Sequence, residues 1–138
     1  MWTSEVTRKT TATKEQIWKL WADVPNWNVW DKEVEQSELF GQFKVGTKGV
    51  LKPVGGPKTK FVMTECTNFR SFTDRSFLPF CKMDFIHTIT ETKNGLEITH
   101  KVVMVGVMTF LFSKVIGNKI KTGLPRAVDT LIELAEIK

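Results

Sequence analysis

His87, His100 and Asp74 are the residues of this sequence whose types and spacing support acid–base chemistry. A carboxylate beside an imidazole orients the ring and raises its pKa, and such a pair suits enolisation, aldol closure or dehydration of a carbonyl compound. The same side chains serve equally as ligand-orienting or satisfied core groups, the commoner use of inward-facing histidines on a sheet. Two histidines and a carboxylate without a close i, i+4 pair or a thiolate cluster are a poor ligand set, so neither a metal nor another cofactor is expected. Cys66 and Cys81 fit no disulfide framework or zinc set, and without a base or oxyanion partner they read as small packing residues.

Whether the three polar residues meet depends on two hairpins. Asn94-Gly95 is a strong hairpin signal, and taken as the two-residue turn it pairs Lys93 with Leu96. Glu91 then faces Ile98, Ile89 faces His100, His87 faces Val102 and Phe85 faces Met104. Both histidines share the apolar side with Phe85, Ile89, Ile98, Val102 and Met104, while Thr88, Thr90, Glu97, Thr99 and Lys101 take the other, so the histidines point inward. In the preceding hairpin, pairing Phe77 with Lys82 sets Phe72 opposite His87 and Asp74 opposite Phe85, which brings Asp74 diagonally within reach of His87.

The elements that carry these hairpins follow from periodicity. Trp2 to Thr10 alternates as a strand, and Thr13-Lys14-Glu15-Gln16 has the form of a capping box that starts a helix with Ile17, Leu20, Trp21 and Val24 on one face. Pro25 breaks it before a short aromatic segment, Trp27 to Asp31, giving two short helices after the first strand. Six more strands follow: Val34 to Phe40, Gly46 to Lys52, Thr59 to Cys66, Ser71 to Leu78, Lys82 to Thr92 and Leu96 to Val105. Apolar residues then recur at helical spacing from about Met108 to Ile137, as one long helix or two, with a kink predicted near residues 121–125 from Gly123 and Pro125. The expectation is an α+β domain over residues 1–138, a seven-stranded, curved, mostly antiparallel sheet wrapped around the C-terminal helix. A helix about 10–12 Å across cannot fill the concavity of such a sheet, which leaves a cavity. Its expected lining is Asp74, His87, His100, Phe72 and the apolar strand residues above, with Ile116, Ile120 and Leu124 from the helix.

Several segments resemble a known family: Asp23-Val24-Pro25-Asn26-Trp27-Asn28-Val29-Trp30-Asp31, Val45-Gly46-Thr47-Lys48-Gly49, Ser71-Phe72-Thr73-Asp74 and Ile116-Gly117-Asn118-Lys119. Together with the element order they are similar to the polyketide cyclase/dehydrase-like branch of the START-related, birch-pollen-allergen-like superfamily, over nearly the whole chain. The resemblance implies the helix-grip fold. It leaves function open among cyclases, lipid carriers, hormone receptors and others.

Composition narrows the partners. The 20 basic residues are scattered among 15 acidic ones, so the net charge of +5 comes without a basic-aromatic motif and nucleic acid is not expected. No stretch reaches the roughly 18 apolar residues of a membrane span, and the first residues lack the apolar core of a signal peptide, so a cytoplasmic location is expected. Lys114, Lys119, Lys121 and Arg126 form an acid-free run on the last helix that reads as a solvated face or as a peripheral membrane contact. Trp18, Trp21, Trp27 and Trp30 read as core, with an entrance lip for rings or acyl chains as the alternative. Glu65 reads evenly as part of the polar set or as an ordinary strand-end charge. Three functions remain: binding of a small, largely apolar molecule (lipid-, polyketide- or aromatic-like); a cyclase or dehydratase with His87 or His100 as base and Asp74 as orienter; and an interaction module for a protein partner.

Overall fold

A computed structural model describes residues 1–137; Lys138, the last residue of the expected domain, lies outside the described residues. Strand β1 (Trp2–Thr10) leads into helix α1 (Lys14–Ala22), and the capping box is formed. The Gln16 N–H donates to Thr13 Oγ1 at 3.1 Å, and the Thr13 N–H donates to Gln16 Oε1 at 2.8 Å. Two of the donors that a helix N-terminus would leave unpaired are thereby satisfied. A 3₁₀ turn over Val24–Asn26, where Pro25 costs no hydrogen bond, hands the chain to α2 (Trp27–Trp30). The two helices bury Ile17, Trp18, Trp21, Trp27 and Trp30 against the sheet.

The remaining strands, β2 (Val34–Leu39), β3 (Lys48–Pro53), β4 (Thr59–Thr67), β5 (Ser71–Leu78), β6 (Cys81–Thr92) and β7 (Gly95–Val105), form a meander. Strand β1 closes it on β7, giving one antiparallel sheet in the order β1-β7-β6-β5-β4-β3-β2. The β5–β6 register is the one expected, with Phe77 opposite Lys82 and Phe72 opposite His87. The β6–β7 register corrects the sequence reading. The turn is centred on Lys93-Asn94, so Thr92 faces Gly95, Ile89 faces Ile98, Phe85 faces Val102 and His87 lies directly opposite His100. Thr92 is the cause: its hydroxyl accepts from the Asn94 N–H at 3.3 Å and donates to the Gly95 carbonyl at 2.8 Å. Gly95, at φ +123°, supplies the positive φ at the end of the turn instead of in its middle. The shift is by an even number of residues, so the inward face is unchanged while the two histidines are drawn together.

Helix α3 (Thr109–Glu136) is a single helix that contains Pro125. Its C-terminal half buries Ala127, Val128, Leu131, Ile132 and Ala135 in the same core as Trp21, Ile89 and Ile98. Phe112, Ile116 and Ile120 in its N-terminal half, and Leu124 just past its middle, are only partly buried, because this part of the helix faces a cavity. The body of the fold is therefore solid at one end and hollow at the other.

Gly49 on β3 shows how closely the sheet is packed. A Cβ there would lie 2.4 Å from the Glu38 carbonyl oxygen and 2.5 Å from Phe61 Cζ, both inside van der Waals contact. Gly49→Ala should destabilise the protein by about 2–3 kcal/mol through overpacking, as measured by urea unfolding.

Candidate functional site

The hollow end is a cavity of about 590 Å³ between the concave sheet and the N-terminal half of α3, and Asp74, His87 and His100 all line it. Asp74 and Ser76 alternate with outward residues on β5, so both face in, and both are buried. The rings of His87 and His100 meet edge to face with centroids 4.6 Å apart. Phe72 stacks flat on His87 at 3.9 Å, and the Trp21 indole closes the group from behind, 5.3 Å from Phe72 and 5.8 Å from His100.

Hydrogen bonds fix the tautomers. An indole N–H only donates, and Trp21 Nε1 donates to His100 Nε2 at 3.3 Å, so the His100 proton sits on Nδ1. The Phe72 carbonyl only accepts and lies 3.2 Å from His87 Nδ1, so that nitrogen carries the proton and Nε2 keeps the lone pair. Asp74 Oδ1 is 3.9 Å from the same Nδ1, outside hydrogen-bonding distance, and has no partner of its own. Trp30 Nε1 is a second buried polar atom without a partner, and Trp30 also lines the cavity, 5.7 Å from His100 between ring centroids.

Burial decides the charges. It pushes the Asp74 carboxyl up to about 8, against a hydrogen bond from its own backbone that pulls down, and Asp84 adds to the rise. The same burial drives His87 down to about 3 despite hydrogen bonds to the Phe72 and Phe85 backbone, and His100 well below the usual histidine range with His87 adding to the fall. The sequence reading had Asp74 raising the imidazole pKa, and desolvation reverses that sign. At neutral pH the cluster is a carboxylic acid and two neutral imidazoles, not an ion pair. It offers a ligand an acid O–H and an imidazole lone pair, with the Trp30 N–H nearby. At the rim, burial also raises Asp31 to about 6, even though its Oδ1 accepts from the Glu33 N–H at 3.0 Å.

Of the other expected lining residues, Phe85, Val102, Ile116, Ile120 and Leu124 stand on the cavity wall. Phe72, Ile89 and Ile98 lie in the main core instead, where Trp18, Trp21 and the C-terminal half of α3 have filled the space. Met104 packs with Cys81 and Met83 beside Trp2. The sequence reading did not place Ser76, Phe112, Val115 or Lys119 at the site. Ser76 shares parity with Asp74, and Phe112 is one turn before Ile116, so both signals were present. Lys119 Nζ donates to the Val54 carbonyl at 3.3 Å and ties α3 to the β3–β4 loop at the cavity mouth. Glu65 takes the strand-end role, accepting from Thr67 and Ser71 hydroxyls at 2.7 and 2.9 Å. All four clustered tryptophans are core, and Trp27 and Trp30 double as cavity wall.

This architecture matches solved structures along its length. Protein MLL2253 of Mesorhizobium loti superposes with a TM-score of 0.76 at 14% identity, covering 96% of each chain. Ara h 8.0201 gives 0.68 at 11% identity, covering 96% of this chain and 98% of that one. The di-domain ARO/CYC protein StfQ of the steffimycin biosynthetic pathway gives 0.77 at 10% identity, covering 97% of this chain and 50% of that one. The chain has the helix-grip fold. No protein-family model matches the sequence, and no match to it is found among curated proteins, so the likeness to these helix-grip structures is one of fold.

The raised Asp74 pKa has a sign that can be checked. Above about pH 7 the histidines are mostly neutral in folded and unfolded chains alike, while unfolded Asp74 is ionised and folded Asp74 keeps most of its proton until about 8. The unfolded chain therefore binds fewer protons, and stability should fall between about pH 7 and 8, by less than about 1.4 kcal/mol per unit because the last histidine protons of the unfolded chain offset part of the slope. Asp74→Asn should remove that slope in urea unfolding across the window.

Proposed function

We propose that this helix-grip protein binds one small, largely apolar molecule of lipid, polyketide or aromatic type, with its polar end on Asp74, His87 and Trp30. The observation that carries this reading is the pair of buried polar atoms, Asp74 Oδ1 and Trp30 Nε1, left without partners on the wall of an otherwise apolar cavity. Each such atom costs about 1–3 kcal/mol unless something hydrogen-bonds it, and a ligand oxygen held in the cavity does so. A volume near 590 Å³ falls within the roughly 300–1,000 Å³ of small-molecule sites. A neutral acid and neutral imidazoles favour an uncharged hydroxyl or carbonyl over a carboxylate anion, because Asp74, His87 and Trp30 bring no positive charge to the polar end.

The cyclase or dehydratase reading draws less support, because an imidazole held at about 3 is a weak base at neutral pH. The protein-partner module requires a closed cavity, and this one is open.

Native mass spectrometry of freshly purified protein, beside its denatured mass, tests the proposal. A small molecule present only in the native spectrum is the expected result. Ile116→Trp, which fills the cavity from α3, should abolish that adduct while the far-ultraviolet circular dichroism stays unchanged. In a thermal-shift screen, a ligand at 100 times its dissociation constant should add about 2.7 kcal/mol of stability. No adduct and no shift across lipids, polyketides and aromatics would overturn the reading.

A further inference from the structure

At the end of the molecule where the cavity opens, apolar side chains face solvent together. Phe80 is 78% exposed, Val107 76%, Phe110 63% and Val115 65%, and Phe77, Val105 and Leu111 are exposed beside them. Two backbone features hold the group in place. Phe80 sits at φ 54°, an uncommon conformation for a bulky residue, at the tip of the β5–β6 turn. Its carbonyl accepts from the Met108 N–H at 3.2 Å, and Gly106 lies so close that a Cβ there would be 2.5 Å from the same oxygen. The β5–β6 turn and the start of α3 are thus tied into one surface. Leu78, Pro79, Phe112 and Val115 continue it into the cavity wall.

Basic residues predominate around this surface. From Ile98 to Val128 the sequence has no Asp or Glu, while Lys114 and Lys121 are exposed on α3. Lys82 stands between Phe77 and Val105 across the strands. Asp84, the nearby acid on β6, is held by Arg75 through bonds of 2.7 and 3.1 Å. Among the described residues no helix is long and apolar enough to cross a membrane, so an apolar face ringed by lysines would act at a surface.

We infer that this face docks on an anionic lipid bilayer, with Phe80, Val107 and Phe110 entering the acyl boundary and the lysines meeting acidic headgroups. Charge complementarity selects this occupant: a second copy placed on the patch would set lysine against lysine, whereas anionic lipids neutralise them. Continuity with the cavity gives the contact a use. A molecule leaving the bilayer can reach the cavity along apolar side chains without crossing water.

The test is co-sedimentation with phosphatidylcholine vesicles, with and without about one-third phosphatidylserine. The protein should pellet with the anionic vesicles, stay in solution with phosphatidylcholine alone, and dissociate as salt is raised. Phe80→Ser with Phe110→Ser, and separately Lys114→Glu with Lys121→Glu, should each weaken binding about tenfold or more, with little loss of stability because all four side chains are exposed. Phe40→Ser, an exposed phenylalanine on the β2–β3 connection, should bind as the unaltered protein does. No binding to anionic vesicles, or equal binding by the Phe80/Phe110 variant, would overturn the inference. So would a concentration-dependent dimer that this variant dissociates, since the face would then belong to a second copy. Ligand-induced thermal shifts measured on the same variants are expected to persist, which separates failure of docking from failure of cavity binding.

Discussion

Trp21 is the contact on which the other parts of the structure depend. It projects from α1 into the sheet and meets Phe72, His87 and His100 with ring centroids between 5.3 and 5.8 Å. Edge-on and tilted aromatic packing of this kind is directional, so it sets the position of α1 as well as burying area. Because Trp18 and Trp21 occupy one end of the concave face, the C-terminal half of α3 completes a dense core there. Nothing equivalent backs the other half of the helix. The cavity is what remains when one end of a curved sheet is plugged with indoles and the other is not.

The same plug controls the electrostatics. Trp21 gives His100 a hydrogen bond that requires a neutral acceptor, and the Phe72 ring lies flat over His87. Water is excluded from one side of both imidazoles, and desolvation then outweighs the attraction that a nearby carboxylate would exert. A cluster that reads on paper as an acid–base pair is held uncharged. The protein has built polarity without charge, which suits recognition of an oxygen on an apolar skeleton better than proton transfer.

Much of this was legible in the sequence, because alternation fixes which face a strand residue takes. His87, His100 and Asp74 were placed on the inward face, and the Phe77–Lys82 pairing brought Asp74 beside His87 as observed. The capping box at Thr13 and the seven strands followed from local chemistry. The β6–β7 register was missed by two residues because Asn-Gly can sit astride a turn end as well as within it, and the Thr92 hydroxyl selects between the two. The sign of the histidine shift was missed because it depends on burial depth, a tertiary property. The cavity's exact wall was missed for the same reason: Phe72, Ile89 and Ile98 have the pattern of lining residues, and only the position of the indoles assigns them to the core.

The pairing of β1 with β7 has a consequence for how the chain reaches this state. Trp2 lies opposite Met104, and Thr10 opposite Leu96, so the first strand made is the last to find its neighbour. During synthesis the meander from β2 to β6 can assemble through local hairpins while β1 waits for β7 to emerge. Folding should therefore be limited by a late, long-range closure, with the Trp2 indole coming to rest on Gly117 of α3 as sheet and helix join. Until then the inner face of the sheet is open, and a hydrophobic molecule present at that moment could be enclosed as the fold closes around it.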